Sequence, residues 1–260
     1  MDRPSILYNV AFLSGPGVRA RAWLNDLPIY TVRPTATNDG TTMLANHLLW
    51  PGENTLRIEV QQMGKPETSF FHVDFLREDD PEIPAQRFHS APWPQLWDSW
   101  PEELRVLPFN HVSTFSIPDD HPQPIVASAK PEDVPIDGTP EMHAAVFELH
   151  QALAKKDGVG IVDAVALRME DQKRFYGDIS GTKKSAYVPG YAEAFRDPWE
   201  VPPFDAKRLV FERCAGGRAV FVTGLDGEHA VHGKNMVNPE QSYETDLLLV
   251  RHEGRWRAFR

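Results

Sequence analysis

The sequence predicts two domains of different class: an N-terminal antiparallel β-sandwich, and a C-terminal α+β domain whose helices pack on a curved antiparallel sheet. Three observations lead there. Residues 6–76 hold six short runs of alternating apolar and polar residues, broken by Gly, Pro and Asn, with no helical period. Two stretches with apolar residues three and four apart come next, between Glu141 and Tyr176, and further alternating runs lead to the C-terminus. The 260 residues also exceed the roughly 100 to 150 that one core usually organises.

In the first domain Ile6, Tyr8, Val10 and Phe12 share one face. After Gly15-Pro16-Gly17 the pattern repeats in Val18, Ala20, Ala22 and Leu24, which reads as a hairpin. Gly15 and Gly17 are read as a plain turn and not a phosphate loop, because no helix follows them. Further strands are expected at 28–31, 41–48, 55–61 and 69–76. Trp50-Pro51-Gly52 suits a type II turn, since Pro51 presets φ and Gly52 accepts a positive one. The phrase from Leu49 to Val60 resembles turns of jelly-roll, carbohydrate-binding-like β-sandwich modules, and Trp23, Tyr30 and Trp50 would be the platforms that this resemblance implies.

The first domain covers 1–78, or extends to about 120 if the strand-like residues of 104–117 return to it. Residues 79–137 read as an acidic connection, with eleven of the 23 prolines between Pro81 and Pro135. Three basic and twelve acidic side chains fall within 78–137, so this segment carries nine of the ten excess negative charges. Such a surface repels nucleic acid and anionic membranes and favours a protein with a basic surface. Trp93, Trp97 and Trp100 fit one face of a short helix, where they would anchor a partner or fasten the connection to its own protein. Asp119 and Asp120 complete the candidate partner-binding set.

The second domain, 138–260, opens with Thr139 as N-cap, Pro140 in the first turn and Glu141 behind them. Met142, Val146, Leu149 and Leu153 give the first helix its apolar stripe. A second helix is expected over 159–176, and a third, interrupted near Pro189-Gly190, over 185–195. Strands follow at 207–214, 218–223 and 228–236, and the run from Tyr243 to Arg260 forms a closing hairpin that turns at Gly254.

That closing run, together with Ala152-Leu-Ala-Lys-Lys-Asp157 and Val250-Arg-His-Glu-Gly-Arg-Trp256, resembles the NTF2-like (SnoaL-like, cystatin-like α+β) superfamily over about residues 141–260. The resemblance implies a cone-shaped cavity between helices and sheet, and a homodimer through the sheet. It covers isomerases, dehydratases, polyketide cyclases, transport factors, oligomerisation modules and bacterial toxin-immunity proteins, so fold alone selects none of them. Asp163, Tyr176, Tyr187 and Tyr191 are the candidate cavity residues.

Cys214, the only cysteine, excludes an internal disulfide and reads as a small buried side chain. Neither His229-Ala-Val-His232 nor Asp119-Asp-His121 has the spacing of a metal site, and no cofactor motif is present. No stretch reaches the roughly 20 apolar residues of a membrane helix, and a cytoplasmic protein is expected. Without a catalytic motif the preferred reading is a noncatalytic protein-interaction or binding protein, with a toxin-immunity protein as one version. The alternatives are a small-molecule isomerase, dehydratase or carrier using the cavity, and a carbohydrate-binding module.

Overall fold

The computed structural model describes residues 6–79, 83–92, 96–102, 105–177, 184–225, 228–238 and 240–259. It is a mixed α+β protein with four antiparallel sheets and five helices among those residues. The chain divides into two compact units, one ending at Pro124 and the other beginning at Ile125.

The first unit contains eight strands: β1 (Leu7–Ser14), β2 (Arg19–Leu24), β3 (Leu27–Val32), β4 (Asp39–Leu44), β5 (Gly52–Gln62), β6 (Phe71–Glu78), β7 (Gln86–Pro92) and β8 (Phe109–Ile117). They form two four-stranded sheets, ordered β4-β1-β6-β7 and β3-β2-β5-β8. Alternation sends Tyr8, Val10, Phe12, Phe71, Val73 and Phe75 of one sheet and Ala20, Ala22, Leu56, Ile58 and Val60 of the other into one shared core.

β1 and β2 do not form a hairpin, because they belong to different sheets. The Gly15-Pro16-Gly17 bend instead passes the chain across the edge of the core. A Cβ on Gly15 would lie 2.5 Å from the Thr68 carbonyl oxygen, and one on Gly17 would lie 2.9 Å from the Gly64 Cα. Gly15 N donates to the Phe70 carbonyl and Gly17 N to that of Thr35, so the bend is fastened to two other segments. Local alternation cannot distinguish a hairpin from such a crossover.

The strand expected over 41–48 ends at Leu44 and is followed by a 3₁₀ turn, Asn46–Leu48. The Asn46 side chain causes this: its Oδ1 accepts from Tyr8 N at 2.8 Å, and its Nδ2 donates to the Ile6 carbonyl at 3.0 Å. A side-chain amide thus serves the β1 backbone where a continuing strand would have. At the next turn Gly52 has φ of 79°, and Asn54 binds both the backbone N–H and the carbonyl of Trp50.

The second unit begins with α1 (Ile125–Ser128) and then α2 (Pro140–Ala154), in which the Thr139 hydroxyl accepts from Met142 N. The helix expected over 159–176 is two helices, α3 (Gly158–Ala164) and α4 (Ala166–Tyr176), meeting at Val165, whose φ and ψ of −103° and 19° are not helical. The division lets α3 lie against α2 and α5 (Lys184–Ala194) while α4 reaches β15 (Arg255–Ala258).

The remaining strands are β9 (Trp199–Glu200), β10 (Leu209–Cys214), β11 (Ala219–Gly224), β12 (Val231–Asn235), β13 (Ser242–Thr245) and β14 (Leu247–His252). One sheet is ordered β10-β11-β14-β15 and the other β13-β12-β9. The continuous apolar run of the sequence therefore breaks at Asp246, β13 going to the smaller sheet and β14 to the larger. Met142, Val146, Leu149 and Leu153 of α2 meet Val220, Val222, Leu247 and Leu249, all fully buried. Where the family resemblance implies a cavity between helix and sheet, apolar side chains fill the space between α2 and the larger sheet.

Candidate functional site

An open aromatic surface of the second unit lies between α5 and β13. In Lys184-Ser-Ala-Tyr-Val-Pro-Gly-Tyr-Ala-Glu-Ala194, Tyr187 and Tyr191 are four apart and share a helix face. Ala186, Gly190 and Ala194, also four apart, keep the adjoining stripe almost free of side chain. A Cβ built on Gly190 meets nothing within 4 Å. Small residues beside large rings on one helix face make a trough.

Three other features fix its walls. A Cβ on Gly158 would sit 2.6 Å from the Tyr191 Cβ, so the absence of a side chain at the start of α3 lets α5 seat Tyr191 there. The Trp199 indole N–H donates to the Ala194 carbonyl at 2.9 Å, tying β9 to the last turn of α5. Asn235 is buried on β12, and its amide donates to Asp197 and to Gln241 while its oxygen accepts from Val237 N and Asn238 N. These bonds hold the approach to β13.

The resulting groove has a volume of about 510 Å³ and is walled by Tyr187, Tyr191, Phe195, Trp199 and Tyr243, with the small residues of α5 between them and Glu240, Gln241 and Ser242 at its polar side. Tyr191 and Phe195 stack at 5.9 Å between centroids, Phe195 meets Trp199 edge-on at 5.5 Å, and Tyr191 lies 6.4 Å from Tyr243. Burial pushes the hydroxyl pKa of Tyr191 and of Tyr243 above the ordinary phenol value, and the neighbouring phenols push the same way. Both stay neutral at physiological pH. Arg168 of α4 interacts electrostatically with Tyr187, Tyr176 and Tyr191. Burial pulls its guanidinium below the usual arginine value, although a guanidinium so placed remains charged.

A second, polar cleft of about 190 Å³ lies beside α2 and is lined by His150, His229, His232, Asp205, Arg208 and Glu228 among others. His150 Nε2 lies 2.7 Å from the Pro202 carbonyl, which can only accept, so the proton sits on Nε2. His229 is flanked by Glu244 at 3.4 Å and Asp246 at 3.3 Å. Arg208 pairs with Glu228. No hydroxyl, thiol or amine is among the lining residues, so a nucleophile for these imidazoles to activate is missing from the described wall. Among the described residues no group of three or more His, Cys, Asp or Glu is arranged to hold a metal ion.

The structure separates the residues singled out by sequence. Tyr187 and Tyr191 come together in the groove, Tyr176 is buried at the end of α4, and Asp163 is exposed on α3. Trp97 and Trp100 are 7% and 2% exposed and belong to the core of the first unit, their rings 4.9 Å apart, so neither offers a face to a partner. Their segment is a 3₁₀ turn, Trp97–Ser99, and Trp93 lies outside the described residues. Asp119 and Asp120 are exposed in the turn after β8. Of the suggested sugar platforms, Trp23 is buried under the Arg57 guanidinium, 3.7 Å from the ring centroid, and Tyr30 stacks on Phe12 and donates to Asp39. Cys214 is buried with its thiol against the Glu212 carbonyl.

Phe195, Trp199, Tyr243 and Gly190 were not legible as site residues. The alternation of tyrosines with small residues along α5 was the available signal; the pairing of α5 with β13 was not. Among the described residues no helix is long and apolar enough to cross a membrane. Set against family models, curated proteins and solved structures, the chain matches none of them.

Proposed function

We propose that this protein is a noncatalytic binding protein that receives an apolar group of its ligand in the α5–β13 groove, on a second unit of NTF2-like type. The reading rests on one observation: five aromatic rings surround a helix stripe left bare at Gly190, with no imidazole or thiol among the lining residues. About 510 Å³ falls within the range of small-ligand sites, and aromatic walls supply large contact area at low entropic cost. Supporting the family assignment are the helices placed ahead of the antiparallel strands and the closing β14–β15 hairpin, whose turn at Glu253 and Gly254 has φ of 50° and 78°. The filled space against α2 moves the ligand to the outer side of the helices.

The test uses 1-naphthaleneacetamide, a neutral aromatic probe, with calorimetric titration of the full chain. Binding should be measurable in the native protein and lost in Gly190→Leu, which fills the trough. Leucine is the better helix former by roughly 0.8 kcal/mol, so this variant should fold at least as well. Equal binding by the two proteins would dismiss the groove.

A second reading is favoured by the exposed carboxylates Asp119 and Asp120, with Asp98 and Glu102 also exposed in the first unit. On this reading the protein's acidic surface binds the basic surface of another protein, as a toxin-immunity protein does when acidic groups cover a basic active site. Purification from native lysate at low and high salt, with Asp119→Lys and Asp120→Lys as controls, measures it. A partner held equally well by the charge-reversed protein would end that reading.

A further inference from the structure

The α5–β13 groove is walled by ring faces and carries one charge, which is negative. Among the described residues that line it, Glu240 is the only charged one, and no Lys, Arg or His stands with the aromatic rings. The pleat of the smaller sheet accounts for part of this. Tyr243 is paired with Gly233 and Trp199 with Asn235, whereas Lys234 is paired with Ser242 and Glu200. Residues directly opposite in an antiparallel ladder share a face, so Lys234, the only lysine or arginine of β9, β12 and β13, points away from the side that carries Tyr243 and Trp199. Around the last turn of α5, Glu193 and Arg196 are both exposed, and neither lines the groove. An aromatic ring is negative over its faces and attracts a cation placed within about 6 Å of its centroid. The rings here follow one another at 5.9, 5.5 and 6.4 Å, spacings at which one trimethylammonium group can reach two of them. Burial keeps the phenols of Tyr191 and Tyr243 un-ionised, so the attraction belongs to ring faces and not to phenolates.

We infer that the α5–β13 groove binds a small molecule bearing a quaternary ammonium group, held against Tyr187, Tyr191, Trp199 and Tyr243 with Glu240 at the polar side. This rests on the groove being the binding site and adds the charge of the ligand. A primary ammonium is strongly hydrated and brings three N–H donors, and ring faces do not replace the water it would lose. A fully methylated one has no donor to satisfy and lays apolar methyl surface on the trough left bare at Gly190. Glu240 is exposed, so water screens its contribution and the rings carry most of the attraction. Arg168 interacts with Tyr187 and Tyr191 without lining the groove, and its charge acts against a bound cation. The gain expected from the ligand's charge is therefore moderate.

Calorimetric titration of the full chain with (1-naphthylmethyl)trimethylammonium, 1-naphthaleneacetamide and 1-naphthaleneacetate reads the sign of the charge, because the three probes share a naphthylmethyl body. The cation should bind about two- to thirtyfold more tightly than the amide, the span from an exposed to a desolvated cation–π contact, and the acid no more tightly than the amide. In Tyr187→Leu, which keeps apolar bulk and removes a ring face, the advantage of the cation over the amide should shrink about twofold or more. In Tyr187→Phe, which keeps the ring, it should persist. Tyr187 is 40% exposed, so both variants should fold like the native chain. Equal binding of cation and amide by the native protein would overturn this inference and leave the groove as a neutral site. A cation advantage undiminished in Tyr187→Leu would overturn it as well, by showing that ring faces do not hold the ammonium. Failure of all three probes to bind would remove the groove reading and this inference together.

Discussion

Asp171 offers the sharpest test of how burial and charge compete in this protein. Its side chain is 0% exposed, it accepts from the backbone N–H of Ile125 at 3.2 and 3.3 Å, and it pairs with Arg174 at 3.2 Å. Desolvation outweighs those bonds and raises its carboxyl from 3.8 to about 6. A folded-state value above the unfolded one means that the folded chain holds the proton more tightly. The stability this group contributes is therefore complete below pH 3.8 and is lost as pH rises through about 6. The shift of roughly two units corresponds to about 3 kcal/mol, at 1.36 kcal/mol per unit. Asp171→Asn keeps an acceptor for Ile125 N and cannot ionise. At pH 8 it should be about 1 to 3 kcal/mol more stable than the native chain, and near pH 4 the two should be alike. Urea unfolding at the two pH values reads this, with the transition of the second unit identified as the one that Leu149→Ala shifts by about 2 to 5 kcal/mol. If Asp171→Asn is instead the weaker protein at pH 8, the ionised carboxylate is a net stabiliser and the reasoning from burial fails.

Three further outcomes follow from single contacts. Gly158→Ala would place a methyl against Tyr191, so it should cost about 1 to 3 kcal/mol in thermal or urea unfolding and weaken naphthaleneacetamide binding in parallel; unchanged binding would mean that α5 does not depend on that approach. Asn46→Ala leaves the β1 N–H of Tyr8 and the carbonyl of Ile6 without their partner, and should cost about 1 to 3 kcal/mol, read as a lower urea midpoint for the first unit. His72, His89, His111 and His121 all have pKa values below that of free histidine, with burial the leading cause in each and the neighbouring His111 adding to it for His89. For a base whose folded value is depressed, stability is full above the unfolded value near 6.5 and declines as pH falls below it. The first unit should lose stability between pH 7 and pH 5, and the paired substitution His89→Gln with His111→Gln should flatten that slope in calorimetry.

The sequence by itself determined which residues are apolar on one face and where the backbone can turn. That was enough for β5 with its alternating Leu56, Ile58 and Val60, for the Thr139-capped start of α2, and for the Gly254 turn, because each depends on neighbours a few residues away. Only the tertiary structure decided partners. Alternation in β1 and β2 is the same whether they pair with each other or cross between sheets, and the choice lay in the close backbone approaches at Gly15 and Gly17. Trp97 and Trp100 read as fastening the connection to its own protein in preference to anchoring a partner, but the sequence did not say where they pack; the first unit's core took them. Tyr187 and Tyr191 were visible as one helix face, but a groove needs an opposite wall, and Trp199 and Tyr243 reach it through pairing of β9 and β13 with β12. Such long-range pairings depend on which buried surfaces fit together across the whole chain, information that no local stretch of residues carries.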